Sequence, residues 1–210
     1  YGQDLKKTIE ISIPNPAETV AIHLSNAIIE SGIKINTEKI AKHDETHLLN
    51  THESPKLAEI VYWFNQKSIN LYGEALLKAI AYQTAQKTET SDGADLIQKY
   101  WENKLKISSS ELNNQDGSGL SPQNRVTTSA MTKIMQYAQT QTWFPEFYKS
   151  LPEYNKMKMK SGTIGGALGY TGIHTNSNGE KFTFSLLVNN YSGSANTMRK
   201  RMFSLLDVLK

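Results

Sequence analysis

Two short segments of the chain combine side chains that could carry acid–base chemistry. One is Ser68-Ile69-Asn70, between two predicted helices, and the other is Lys160-Ser161-Gly162-Thr163, on a predicted strand. A serine and an asparagine two residues apart in a tight turn can point into one cleft, where Ser68 relays protons and Asn70 binds an amide carbonyl. Lys160 would add a fixed positive charge. Together the segments predict a catalytic cleft.

The second segment also has the features of a peptide-binding strand. The hydroxyls of Ser161 and Thr163, beside the Lys160 charge, can hold a terminal carboxylate, and Gly162 leaves room for a peptide to lie alongside. Each triplet alone is a weak signal, since Ser194-Ala195-Asn196 repeats the first, and we interpret that copy as a helix N-cap. The order of the two segments, with helices between them and a hairpin after them, favours a functional site.

Local patterns predict the elements that must position these segments. The alternation over 8–13 predicts a strand, and Asn15-Pro16 predicts the start of a helix that ends at Ser31-Gly32. One further helix is predicted to start at Ser54-Pro55, and the next is an amphipathic run that carries Leu71, Ala75, Leu76, Ala79 and Ile80. Three more are predicted over 92–103, around Met131–Ala138 and over 195–209. Strands are predicted around 156–160 and over 181–188, with a hairpin at Asn178-Gly179. The expected fold is α/β in the α+β sense, a helical cluster packed on an antiparallel sheet.

Composition excludes several classes of protein. The 210 residues are 38% hydrophobic, enough for a substantial core, and contain no run near the ~18 apolar residues of a membrane span. A net charge of +3 is too small to indicate a nucleic-acid partner. The absence of cysteine excludes disulfides, thiolate catalysis and cysteine-ligated metals.

The surroundings of the first motif resemble a known family. The segments that carry the resemblance are His52–Pro55, Lys67–Leu77 and Asp116–Thr127, and Asp116-Gly117-Ser118-Gly119-Leu120-Ser121 is the most specific of them. They resemble the D-alanyl-D-alanine carboxypeptidase/endopeptidase family of low-molecular-mass, class C penicillin-binding proteins. The resemblance covers essentially the whole chain and implies a β-lactamase/transpeptidase-like fold.

The resemblance also implies roles for single residues. Ser68 would be the proton-relay hydroxyl, Asn70 the amide-binding partner and Lys160 the positive charge, whereas Ser161, Gly162 and Thr163 would bind substrate. Ile69 stands where the family often has Asp, and Ser161 stands where Thr is usual. Both departures are mild, because Ile69 need not face the cleft and Ser161 keeps a hydroxyl.

The family's third element, a nucleophilic Ser-x-x-Lys, has no convincing match. Ser31-Gly32-Ile33-Lys34 fits literally, but it falls at a predicted helix end, where the helix dipole opposes a nucleophile. We therefore expect the nucleophile in an N-terminal part of the same protein that precedes residue 1. Residues 1–45 would then be the end of an inserted domain and the return to the main domain, and 46–210 the C-terminal part of the transpeptidase-like domain.

The resulting hypothesis is a serine D,D-peptidase that acts on peptidoglycan stem peptides in the periplasm or cell envelope. It would bind β-lactam antibiotics and need no metal or organic cofactor. One alternative is a non-catalytic module that keeps the cleft and binds peptidoglycan or a partner. A more distant one is a metallohydrolase using His43-Asp44-Glu45-Thr46-His47, although the helical zinc motif has Glu where Asp44 stands. Ser118 lacks the spacing of a nucleophile elbow and is interpreted as a loop residue.

Overall fold

A computed structural model describes residues 13–35 and 51–210 of the chain. The chain divides into two compact units, residues 1–52 and 53–210. In the first unit the described helix is α1 (Pro16–Glu30). The second contains α2 (Leu57–Lys67), α3 (Asn70–Ala85), α4 (Thr90–Leu105), β1 (Leu112–Asn113), β2 (Arg125–Val126), α5 (Thr128–Gln139), α6 (Phe144–Ser150), β3 (Glu153–Tyr154), β4 (Met157–Ile164), β5 (Ala167–Thr175), β6 (Lys181–Asn189), α7 (Ala195–Leu206) and a short 3₁₀ helix (Asp207–Leu209).

Local capping decides where α1 begins and ends, as predicted. The Asn15 side chain accepts a hydrogen bond from the Glu18 N–H at 3.2 Å, and Pro16 occupies the first turn. After Ser31, Gly32 takes a left-handed φ of 85° that suits glycine. The strand predicted over 8–13 falls almost entirely outside the described residues, and the two-domain interpretation stays a prediction.

Two helix predictions in the second unit are wrong in detail. α2 begins at Leu57 rather than at Ser54-Pro55, because Lys56 keeps an extended backbone with ψ of 146°. α3 buries Gly73, Leu77 and Ala81. The predicted apolar face is largely outside, with Leu71 72% exposed and Ile80 43% exposed.

Close backbone packing explains which face of α3 is inside. A Cβ added at Gly93 of α4 would lie 2.6 Å from the Leu77 carbonyl oxygen, so only glycine permits this approach. Side-chain size at a partner helix, rather than hydropathy along α3, therefore selects the buried face.

The main sheet has the order β3-β4-β5-β6 and is antiparallel throughout. Its β4–β5 connection is a tight turn at Gly165-Gly166, and the predicted Asn178-Gly179 hairpin joins β5 to β6, with Gly179 at φ 83°. One core cluster joins Met157 and Met159 of β4 to Met202 of α7. A second cluster, on α5, the α6–β3 connection and β5, consists of Met135, Leu151 and Ile173. Helices packed on an antiparallel sheet confirm the predicted α+β class.

Candidate active site

The turn between α2 and α3 holds Ser68 in an unusual backbone conformation. Ser68 has φ 49° and ψ 50°, in the left-handed region that costs a non-glycine residue roughly 1–2 kcal/mol. Asn70 is the first residue of α3, and both Ser68 and Asn70 are exposed to solvent, whereas Ile69 between them is half-buried. Strain of this kind is concentrated at functional sites.

Lys160 of β4 reaches across to this turn. Its Nζ donates hydrogen bonds to the Ser68 Oγ and, at 3.0 Å, to the carbonyl oxygen of Ser161. Burial lowers the pKa of the Lys160 ammonium below the ordinary lysine value. The fold thus joins the two predicted motifs and brings a lysine with increased proton-donating tendency against a serine hydroxyl.

The strand that carries Lys160 has an open edge. β3 pairs only with Met157 and Lys158, so among the described residues β4 has no strand neighbour on this side over 160–164. The Met159 N–H donates to the Pro152 carbonyl on this side at 3.0 Å. Because backbone groups alternate along a strand, those of residues 161 and 163 also point to the open edge, where a peptide could add as a strand.

The three predicted substrate-binding residues follow Lys160 along this edge. A Cβ at Gly162 would meet nothing within 4 Å, so the space beside it is open. Ser161 is half-buried and Thr163 is exposed. By strand alternation their side chains start on the face of β4 opposite to Lys160, a difference that the sequence motif does not reveal. Their roles in substrate binding stay a prediction.

A glycine contact that sequence reasoning missed fixes the start of α3. A Cβ added at Gly73 would lie 2.8 Å from the Gly117 carbonyl carbon, closer than real side chains approach, and the converse contact is equally tight. Beside it, the Glu74 Oε1 accepts hydrogen bonds from the backbone N–H groups of Gly117 (3.2 Å) and Ser118 (2.9 Å). The sequence signal for this contact is Gly73-Glu74 early in a helix together with the distant Gly117-Ser118-Gly119.

Asp116 holds the other end of the same loop. Its carboxylate accepts hydrogen bonds from the N–H groups of Gly119 (2.7 Å) and Ser121 (2.6 Å) and from the Asn124 side chain (2.9 Å). Burial alone would raise the pKa of Asp116, but these hydrogen bonds outweigh it and hold the pKa below its ordinary value. The Asp116–Ser121 run, including Ser118, is therefore a structured loop packed against α3.

Comparison with known proteins identifies the family. The D-Ala-D-Ala carboxypeptidase 3 (S13) family matches residues 2–209. The chain belongs to this family. A D-alanyl-D-alanine carboxypeptidase of Actinomadura sp. (strain R39) is 27% identical over 176 residues, covering 74% of this chain and 32% of that protein. The D-alanyl-D-alanine carboxypeptidase DacB of Haemophilus influenzae is 23% identical, covering 92% of this chain and 45% of that protein.

Solved structures share the fold of this S13-family chain. Penicillin-binding protein 4 (dacB) of Haemophilus influenzae, complexed with a β-lactam, superimposes with a TM-score of 0.80 at 20% identity, covering 95% of this chain and 52% of that one. A predatory endopeptidase of Bdellovibrio bacteriovorus gives 0.54 at 16% identity, covering 94% and 58%. The S13-family chain thus spans about a third to about three fifths of the length of these relatives.

Of the two rival sites, only the Ser31 segment lies within the described part of the S13-family chain. Ser31 is the C-cap residue of α1, and its hydroxyl donates to the Ile28 carbonyl at 2.7 Å, at the negative end of the helix dipole. The segment 43–47 lies outside the described residues. Over 13–35 and 51–210 no group of three or more potential metal-binding side chains occurs. In the same ranges no helix is long and apolar enough to cross a membrane.

Proposed function

We propose that this chain carries two of the three catalytic elements of a serine D,D-peptidase, with Ser68, Asn70 and Lys160 as catalytic residues. The observation that supports it best is the hydrogen bond between the Lys160 ammonium and the Ser68 hydroxyl, beside an open strand edge. The proposal assigns the acyl-forming Ser-x-x-Lys serine to an N-terminal part of the protein beyond residues 1–210.

In the proposed reaction the N-terminal part of the protein supplies the nucleophile, and residues 1–210 supply the proton relay and a substrate-binding amide. The nucleophilic serine attacks the carbonyl carbon of the penultimate D-alanine, its hydroxyl proton passes to Ser68, and the bond to the last D-alanine breaks as an acyl-serine forms. Ser68, hydrogen-bonded to Lys160, passes a proton to the leaving amine, while the Asn70 amide holds a substrate carbonyl. Water then hydrolyses the acyl-enzyme. The lowered pKa of Lys160 makes proton transfer from its ammonium to Ser68 easier.

The open strand edge supports an extended peptide as the substrate. A peptidoglycan stem peptide would lie along residues 160–164 with Gly162 facing open space, and its terminal carboxylate would bind near Lys160, Ser161 and Thr163. A β-lactam, which presents a carboxylate beside a reactive amide, would occupy the same place. The relatives' names, D-alanyl-D-alanine carboxypeptidase, and the β-lactam complex of one of them support this assignment. Such a substrate places the protein in the periplasm or cell envelope.

Labelling with a fluorescent penicillin tests the proposal. Residues 1–210 alone should show no covalent band on a gel, whereas the protein extended at its N-terminus to the length of its relatives should be labelled. Lys160→Ala in the extended protein should reduce the labelling rate by at least roughly a hundredfold, the usual contribution of a positioned acid–base group.

Two outcomes would contradict it. Labelling of residues 1–210 that disappears in a Ser31→Ala variant would make Ser31 the nucleophile. An extended protein that binds a stem peptide but is never acylated would favour the non-catalytic binding module.

A further inference from the structure

Three side-chain hydrogen bonds, one of them buried, join the end of α2 to β4 through the end of α6. The Asn65 Nδ2 donates to the Ser150 Oγ at 2.7 Å, and both residues are buried, at 8% and 0% exposed. Gln66 Nε2 donates to the Ser150 carbonyl at 2.9 Å. From the other side the Lys158 Nζ donates to the Leu151 carbonyl at 3.1 Å. The last carbonyls of α6, which lack partners within the helix, are thereby used to hold two other elements.

Together with the Lys160–Ser68 hydrogen bond, these bonds form a closed ring of connected elements, which runs from α2 through α6 to β4 and back to α2. Asn65 lies about one turn before Ser68 in α2, and Lys158 lies two residues before Lys160 on the same face of β4. The end of α2 and strand β4 are therefore connected twice, directly by Lys160 and Ser68 and indirectly through α6. A displacement of either element would have to break both connections.

In the hydrogen bond between Asn65 and Ser150, the donor and the acceptor are fixed. The Ser150 hydroxyl donates its single hydrogen to the Phe147 carbonyl at 2.6 Å, so towards Asn65 it can only accept. Asn65 must therefore present its NH₂ group, which fixes the orientation of its side chain in the last turn of α2. An apolar pair of the same size would pack as well but would impose no such orientation.

We propose that Asn65 is a positioning residue, which acts through Ser150 to hold Ser68 within hydrogen-bond reach of Lys160. The inference rests on the proposed function for the roles of Ser68 and Lys160. The Asn65 side chain donates to Ser150 rather than to Ser68 or Lys160, and its role is to orient the turn that carries Ser68.

A titration of Lys160 tests this on the chain of 210 residues. The ¹³Cε resonance of Lys160, assigned with a Lys160→Arg variant, is followed against pH in the wild type and in Asn65→Ala. Release of Ser68 should change the ionisation constant of Lys160 roughly threefold, because the ammonium loses a hydrogen-bond acceptor and its exposure to water changes. The matched control is Gln139→Ala, which removes a bond of the same kind at 2.8 Å to Thr183, away from the ring.

The outcomes separate positioning from mere stability. An unchanged Lys160 titration in Asn65→Ala, whether or not the unfolding temperature falls, would overturn the proposal, as would an equal shift in Gln139→Ala. Ser150→Ala should reproduce the shift, and the double variant should add nothing to it. If Asn65→Ala fails to fold, Ser150→Ala, which removes the acceptor of the same hydrogen bond, gives the test by itself. The readout involves no catalysis, so a failed penicillin labelling and a failed positioning role are distinguishable.

Discussion

Ser68 and Lys160 are 92 residues apart in the sequence and hydrogen-bonded in the folded chain. Each residue is held in an energetically unfavourable state at this contact. Ser68 has a left-handed backbone, and Lys160 is an ammonium with a pKa lowered by burial. Neither feature stabilises the fold, so their meeting in one place is better explained by chemistry than by folding.

Two lysines on the same face of β4 should respond differently to loss of their charge. Lys160→Met is expected to lower the free energy of unfolding less than Lys158→Met does, because the unfavourable burial of the Lys160 charge offsets its hydrogen bonds to Ser68 and Ser161. Lys158→Met should lower it by about 1 kcal/mol, since the hydrogen bond to the Leu151 carbonyl is lost. Urea unfolding at pH 7 measures both, and a greater loss in Lys160→Met than in Lys158→Met would refute this account.

The lowered pKa of Lys160 also predicts a pH dependence of stability. Between that pKa and the ordinary value of 10.5, the unfolded chain binds more protons than the folded chain, so the free energy of unfolding should rise with pH. The burial cost is fully present below the lowered pKa and is gone above 10.5. Unfolding curves at alkaline pH should show this rise in the wild type relative to Lys160→Met. Parallel profiles for the two proteins would argue against it.

The backbone of Ser68 predicts an advantage for glycine. Ser68→Gly should be more stable than Ser68→Ala by about 1 kcal/mol, because glycine adopts a φ of 49° without steric cost. Ser129, which lies inside α5 with a helical backbone, is the control, and there alanine should be more stable than glycine by about 1 kcal/mol. Thermal unfolding of the four variants compares the two sites. Equal glycine-to-alanine differences at both would show that Ser68 is not strained.

The contact of Gly73 with Gly117 predicts a severe effect of one methyl group. Gly73→Ala should lower the free energy of unfolding by about 1–3 kcal/mol, since its Cβ would overlap the Gly117 carbonyl and push the loop from α3. Gly165→Ala is the control, because nothing lies within 4 Å of its Cβ position. Chemical denaturation measures the free energy of unfolding of both variants, and equal values would contradict the close approach of Gly73 to Gly117.

Asp116 predicts an acid-sensitive loop. Its lowered pKa contributes stability that is present above the ordinary value of 3.8 and is lost as the pH falls through the lowered value. Asp116→Asn should therefore have a lower free energy of unfolding than the wild type at pH 7. This gap, the difference in free energy of unfolding, should narrow below pH 3.8. Asp95→Asn, at an exposed position on α4, should show little gap at any pH. Unfolding measured across the acid range tests this, and a gap that persists at low pH would exclude a role for the Asp116 charge.

Local sequence determined the features that depend on a few neighbouring residues. The Asn15 cap of α1, the Ser194 cap of α7, where the Ser194 Oγ accepts from the Thr197 N–H at 3.1 Å, and the Asn178-Gly179 hairpin were all predicted correctly. Each is made by hydrogen bonds or backbone angles within about four residues, so the sequence around it contains the whole cause. Ser68-Ile69-Asn70 and Lys160-Ser161-Gly162-Thr163 were likewise recognisable as motifs.

Only the tertiary structure decided how those motifs are arranged. The Lys160–Ser68 and Asn65–Ser150 hydrogen bonds join segments more than 80 residues apart, and the burial that lowers the Lys160 pKa is likewise a result of packing. The exposed Leu71 likewise shows that apolar periodicity does not choose the buried face of α3 where glycines set how closely its neighbours approach. Such contacts depend on the packing of whole elements, so residue types and spacing indicate the chemistry that is possible, and the packing determines which groups meet.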